Sequence, residues 1–105
     1  MEKQSQVQTL VQLVDYQTGA VVSREIVSSP TGTVTIFAFD NGEGLSEHTA
    51  PFDALVQCLE GNVEIHLAGQ PYTVAAGQIL LMPAHVPHAL HALTPFKMLL
   101  TMIRG

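Results

Sequence analysis

The chain has 105 residues, a formal net charge of −5 and 12% charged residues, half the roughly 25% of an average globular domain. Its four cations, Lys3, Arg24, Lys97 and Arg104, are too few and too scattered for the footprint of a nucleic-acid binder or an anionic membrane surface. One cysteine, Cys58, excludes an intrachain disulfide, no apolar run reaches the roughly 18 residues of a membrane span, and the first residues lack a signal-peptide core. These features predict a single cytoplasmic domain over residues 1–105. The low charge further predicts apolar surface covered by a second copy, hence a homodimer.

Residues 1–9 are polar and are expected to fray. Leu10, Val11, Leu13 and Val14 then fall at helical spacing, predicting one or two helical turns that end near Gly19. From Ala20 the pattern is β. Residues 21–27 form the first predicted strand, closed by the turn residues 28–32. In the next, 33–39, Val34, Ile36 and Ala38 alternate with Thr35, Phe37 and Phe39. A turn over 40–44 precedes a short extended piece at 46–50, stopped by Pro51. Strands follow at 54–59, 63–67, 72–74, 79–82, 88–93 and 96–103, separated by glycine and proline turns. Eight or nine short strands without crossover helices imply an all-β, antiparallel sandwich or closed barrel.

Two spacings stand out within this pattern. Gly42 is followed after five residues by His48, and Gly61 lies downstream. Gly77, Pro83 and His88 form a second set, with the run from Gly77 reading as turn glycine, apolar strand, proline turn and histidine. Both sets match the two motifs of the cupin superfamily, and the chain resembles a small single-domain cupin, with motif one over 42–61 and motif two over 77–92. The resemblance implies a double-stranded β-helix, or jelly-roll barrel, whose ligand histidines converge inside the barrel on one divalent ion. It also departs from the family. Ala50 stands where the second histidine of motif one is expected, and Ala54 or Leu55 where its glutamate is. In motif two, His85 replaces a glycine and Ala92 the asparagine.

His48 and His88 are therefore the candidate metal ligands, for zinc, nickel, manganese or iron. Two imidazoles fall short of the three or four protein ligands of a typical site, so weak binding is expected. The alternative for the pair is hydrogen bonding to an organic ligand. His85 reads as a turn residue with φ above zero. His66 alternates with the core candidates Val63, Ile65 and Leu67 and should face outward or into an interface, and His91 has the opposite parity to His88. Asp53, Glu47, Gln57 and Cys58 are the nearby substitute donors. Asp53 would need a bulge to reach the site and otherwise bonds backbone in a turn, and a lone buried thiol is usually a small hydrophobe. Phe37 or Phe39, Phe52, Met82, Met98 and Met102 are the expected apolar lining.

Two function classes follow. One is a metal-dependent enzyme acting on a small organic molecule, for which the resemblance implies oxygenase, isomerase or decarboxylase chemistry. The other is a metal-free module that binds or senses a small molecule. Neither calls for nucleic acid or membrane.

Overall fold

Period-two alternation carries through nearly the whole chain and folds it into strands. The structure, a computed structural model, describes residues 5–104. Its strands are β1 (Val21–Ser29), β2 (Gly32–Phe39), β3 (Gly44–His48), β4 (Asp53–Glu60), β5 (Asn62–Leu67), β6 (Gln70–Ala75), β7 (Ile79–Met82), β8 (His88–Ala92) and β9 (Phe96–Ile103). They pair antiparallel in two sheets, β1-β2-β9-β4-β7 and β3-β8-β5-β6. This is the expected all-β jelly-roll barrel.

The inner faces of the two sheets make the core. Ala54, Val56 and Cys58 of β4 and Phe96, Met98 and Leu100 of β9 meet Val63 and Ile65 of β5 and Leu90 and Ala92 of β8. Phe39 closes one end, its ring stacked 4.5 Å from that of Phe96. Parity explains the assignment: each of these residues has a polar or outward neighbour on either side along most of its strand.

The outer face of the five-stranded sheet is apolar too, and the N-terminal segment covers part of it. Val14, Leu10 and Leu13 pack on Ile36, Ala38, Val22, Leu59 and Leu99. Strand β2 therefore carries apolar residues on both faces. Lys97 fastens this layer. Its ammonium donates to the Val11 carbonyl, lies 3.6 Å from Glu60 and sits 5.0 Å from the Tyr16 ring centroid, while the Tyr16 hydroxyl donates to Glu60 at 2.6 Å.

Three local features differ from the sequence reading, and a fourth adds to it. The N-terminal helical pattern yields a single 3-10 turn at Leu10–Gln12, well short of Gly19, because the segment must lie flat on the sheet to bury Leu10, Leu13 and Val14. Strand β1 runs on to Ser29, since Pro30 and Thr31 alone turn the chain, and Ile26 is the extra residue of a bulge. Strand β3 lies two residues earlier than expected. A register shift between Leu45 and His48 bulges it, pairing resumes at His48 opposite His88, and the residues after His48 leave to cross to the other sheet. Finally, Ala68 has φ +49 beside Gly69 at φ +80, so alanine occupies a left-handed position of the β5–β6 hairpin. Of the segment expected to fray, residues 1–4 lie outside the described residues; residues 5–9 are exposed and carry no regular structure.

Candidate functional site: a histidine pair at the barrel mouth

Two connections cross between the sheets at the same end of the barrel. Residues 49–52 lead from β3 to β4, and residues 83–87 lead from β7 to β8. They are tied together. The His85 amide donates to the Ala50 carbonyl at 2.8 Å, and the Ala84 amide donates to Asp53 Oδ1 at 2.8 Å. His85 has φ +66, as its place in the turn between Pro83 and Pro87 predicts. The two connections thereby fix the end of β3 against the start of β8, and with them the two histidines.

His48 and His88 are directly opposed in the β3–β8 register. Their Nε2 atoms are 3.0 Å apart, with ring centroids at 4.2 Å and planes inclined by 66°. Each Nδ1 faces a backbone carbonyl two residues upstream, Ser46 O at 2.7 Å for His48 and Val86 O at 3.2 Å for His88. A carbonyl can only accept, so Nδ1 carries the proton in each neutral ring and Nε2 carries a lone pair. Two lone pairs then converge on one point. They repel unless a proton or a cation sits between them. His88 is 6% exposed, and burial first, with the neighbouring His48 adding to it, holds its pKa below the ordinary histidine value of 6.5 against the opposing pull of the Val86 carbonyl. His48 is exposed, so the pair lies at the rim with one ring sunk and one open to solvent.

The other candidate donors lie elsewhere. His66 faces outward and pairs with Glu64 at 2.7 Å, and His91 is exposed opposite Glu64 on that same outer face. Asp53 spends its carboxylate on the Ala84 amide. Glu47 and Gln57 are exposed. Cys58 is buried in the core with its thiol directed at the Glu60 and Gly61 carbonyls, and burial pushes its pKa up. Among the described residues no group of three or more His, Cys, Asp or Glu side chains is arranged to hold a metal ion.

The expected apolar lining divides. Phe39 and Met98 are fully buried core. Met82 and Met102 share an inward rung of the five-stranded sheet with Ala54 and Thr33, at the mouth end. Phe52 stands just outside that rung, its ring 5.2 Å from the Arg104 guanidinium. Two open depressions lie away from the histidines: one of about 260 Å³ beside the β1–β2 turn, another of about 470 Å³ at the β6–β7 turn around Gly77. Sequence reasoning missed Thr33 and Arg104. The signal for both was parity with Met102, legible only once the β2–β9 register was known.

A jelly roll with opposed histidines at the mouth defines the class of barrel. The chain belongs to the cupin family: the cupin-domain family profile matches residues 35–103. It is similar to a conserved protein of unknown function from Streptococcus pyogenes, at 36% identity and a TM-score of 0.91, covering 99% of this chain and 91% of that one. It is similar as well to a cupin 2 conserved barrel domain protein from Leptotrichia buccalis, at 40% identity and a TM-score of 0.88 over 90% of this chain, which spans 46% of that protein's length. A cupin superfamily protein from Desulfitobacterium hafniense matches at 27% identity and a TM-score of 0.91, covering 98% of this chain and 94% of that one. No curated protein matches the sequence.

Proposed function

We propose that this cupin barrel binds a divalent metal ion weakly between His48 and His88, and a small organic molecule beside it. The observation that supports the reading most is the pair of convergent Nε2 atoms with both Nδ1 atoms engaged by carbonyls. The donor set suits a metal. Nitrogens about 2.1 Å from a shared ion stand about 3.0 Å apart at a right-angled bite and about 3.4 Å apart at a tetrahedral one, and the observed separation is 3.0 Å. The Ser46 and Val86 carbonyls orient the rings as outer partners of ligating histidines do.

In this reading His88, sunk and held neutral, offers its lone pair at the pH of the cell. His48 closes the site from the solvent side. Ala50 and Ala54, small where the family has larger donors, leave space for an organic molecule over the Ala54–Met102–Met82 rung. A bound ion would act there as a Lewis acid on a ligand oxygen. The second reading, a metal-free binding module, draws on the absence of a third donor among the described residues.

Titration calorimetry with zinc, nickel, manganese and iron(II) separates the two. His48→Ala and His88→Ala are each expected to remove most metal uptake, and His66→Ala, on the outer face, to leave it unchanged. Uptake unaltered in the His48→Ala/His88→Ala double variant would replace the metal site with the metal-free module. We also propose that a second copy covers the apolar outer face of the five-stranded sheet. The row Val27, Val34, Thr101, Leu55 and Leu81 crosses all five strands without a charge, and Ile79, Leu81 and Ile103 are each at least half exposed.

A further inference from the structure

We infer that the molecule bound at the mouth carries a carboxylate, and that Arg104, held by Phe52, is the residue that selects it; this rests on the mouth site proposed above. The first observation is register. Ala54 opposes Met102 on the inner face, and Asp53 opposes Ile103 on the outer. One step further brings Phe52 and Arg104 side by side with inward parity, and their cation–π contact at 5.2 Å is the contact this step predicts. The Arg104 amide also donates to the Thr31 carbonyl at 2.8 Å, which anchors the residue to the β1–β2 turn. Arg104 thus sits on the rim of one sheet while His48 and His88 sit on the rim of the other. Packed sheets lie about 10 Å apart, the length of a small organic acid with its contacts.

The second observation is that the guanidinium has no ion pair or hydrogen bond among the described residues. The ion pairs among the described residues are His66–Glu64 and Lys97–Glu60, and no side-chain hydrogen bond engages Arg104. Of the other described cations, Lys97 is buried under the N-terminal segment and Arg24 lies on the outer face opposite Ile36. Arg104 is therefore the one described cation at the mouth. Its planar fork of donors matches a carboxylate in a bidentate pair.

The third observation is Thr33. It lies on the inward rung beside Met102, is 6% exposed, and its hydroxyl has no hydrogen-bond partner among the described residues. A buried hydroxyl without a partner in an apolar wall is a group completed by a ligand or a water. The mouth then has the composition of a small-molecule site, an apolar floor of Ala54, Met82 and Met102 with a few placed polar groups.

The test uses two probes of one shape, benzoate and benzamide, followed by amide chemical shifts of the full chain. Arg104 is exposed, so wild-type protein is expected to prefer benzoate by about twofold to fivefold, the worth of an ion pair open to solvent, with shifts on residues 31–33, 52–54 and 102–104. Arg104→Gln should remove the preference by weakening benzoate and leaving benzamide unchanged. Phe52→Leu should reduce it in part. The His48→Ala/His88→Ala variant should lose metal uptake yet keep the preference for benzoate, so failure of the metal reading and failure of this one give different patterns. Equal affinity for the two probes, no binding of either, or an Arg104→Gln protein that still prefers benzoate would each overturn the inference.

Discussion

Gly61 carries a motif position whose physical reason is now visible. It alone links β4 to β5, with φ +77. A Cβ there would stand 2.1 Å from the Pro95 carbonyl oxygen, 2.7 Å from Phe96 Cβ and 2.8 Å from Thr94 Oγ1. Gly61→Ala therefore meets two separate costs. The left-handed backbone costs an alanine about 1–2 kcal/mol. Forcing the β8–β9 connection away from the new methyl adds about 1–3 kcal/mol, since the nearest atom is backbone and cannot rotate aside. Together they take about 2–5 kcal/mol from a stability of order 5–15 kcal/mol. Gly42 and Gly77 are the controls. They have φ +81 and +86, and a Cβ at either meets nothing within 4 Å. Gly42→Ala and Gly77→Ala should lose only the backbone cost, and effects on the unfolded chain cancel in the comparison. Urea unfolding of the three variants measures the difference. With a slope of about 1–3 kcal/mol per molar, Gly61→Ala should shift the midpoint down by about 1 M more than either control. Equal losses in all three would refute the close approach to Pro95 as the reason for a glycine.

Three other expectations follow from single features. Metal-free protein should lose stability as pH falls below about 6.5. His88 has its pKa lowered by burial, so the unfolded chain takes up its proton first and stability declines until the folded value is passed; urea midpoints between pH 8 and 5 check this, and the decline should vanish in His88→Phe. Lys97→Met should cost about 1–3 kcal/mol and speed amide exchange over residues 11–16, because the ammonium that holds the Val11 carbonyl and Glu60 is gone; unchanged exchange there would remove Lys97 as the fastening residue. Sedimentation should show a species of twice the 11.3 kDa chain mass, reduced to a monomer by Leu81→Lys on the exposed outer face. A wild-type monomer at micromolar concentration would overturn the homodimer, and a Leu81→Lys dimer would place the partner-covered face elsewhere.

The fold was legible because its determinants are local and periodic. The sequence pattern placed all nine strands to within two residues at either end, and Gly61 and Gly77, both left-handed, punctuate the turns where the spacing requires them. What escaped was tertiary in origin. The 3-10 turn at Leu10–Gln12 takes its length from the sheet it lies on. The end of β3 at His48 comes from the crossing of residues 49–52 to the other sheet, and the bulge before His48 brings that histidine opposite His88. Ala68 adopts φ +49, although alanine gives no sign of it, because the two-residue hairpin leaves no other path.

The site was legible only in its first pair. Motif spacing named His48 and His88, but parity alone could not say whether their rings would meet, since β3 and β8 belong to segments 40 residues apart. Their meeting depends on the two crossings at the mouth, joined by the amides of Ala84 and His85, one bonded to Asp53 and one to Ala50. Asp53, a substitute donor by its place in the sequence, is thereby engaged in holding the mouth together. The same logic extends to Arg104. The role inferred for it rests on a register between β4 and β9 that no single segment encodes, continued one step beyond the last paired residues. Alanines at positions 50 and 54 make the interior apolar on one wall. In the proposed reading, two imidazoles, one buried hydroxyl and a guanidinium without an ion pair among the described residues are the polar groups at the mouth that meet the ligand.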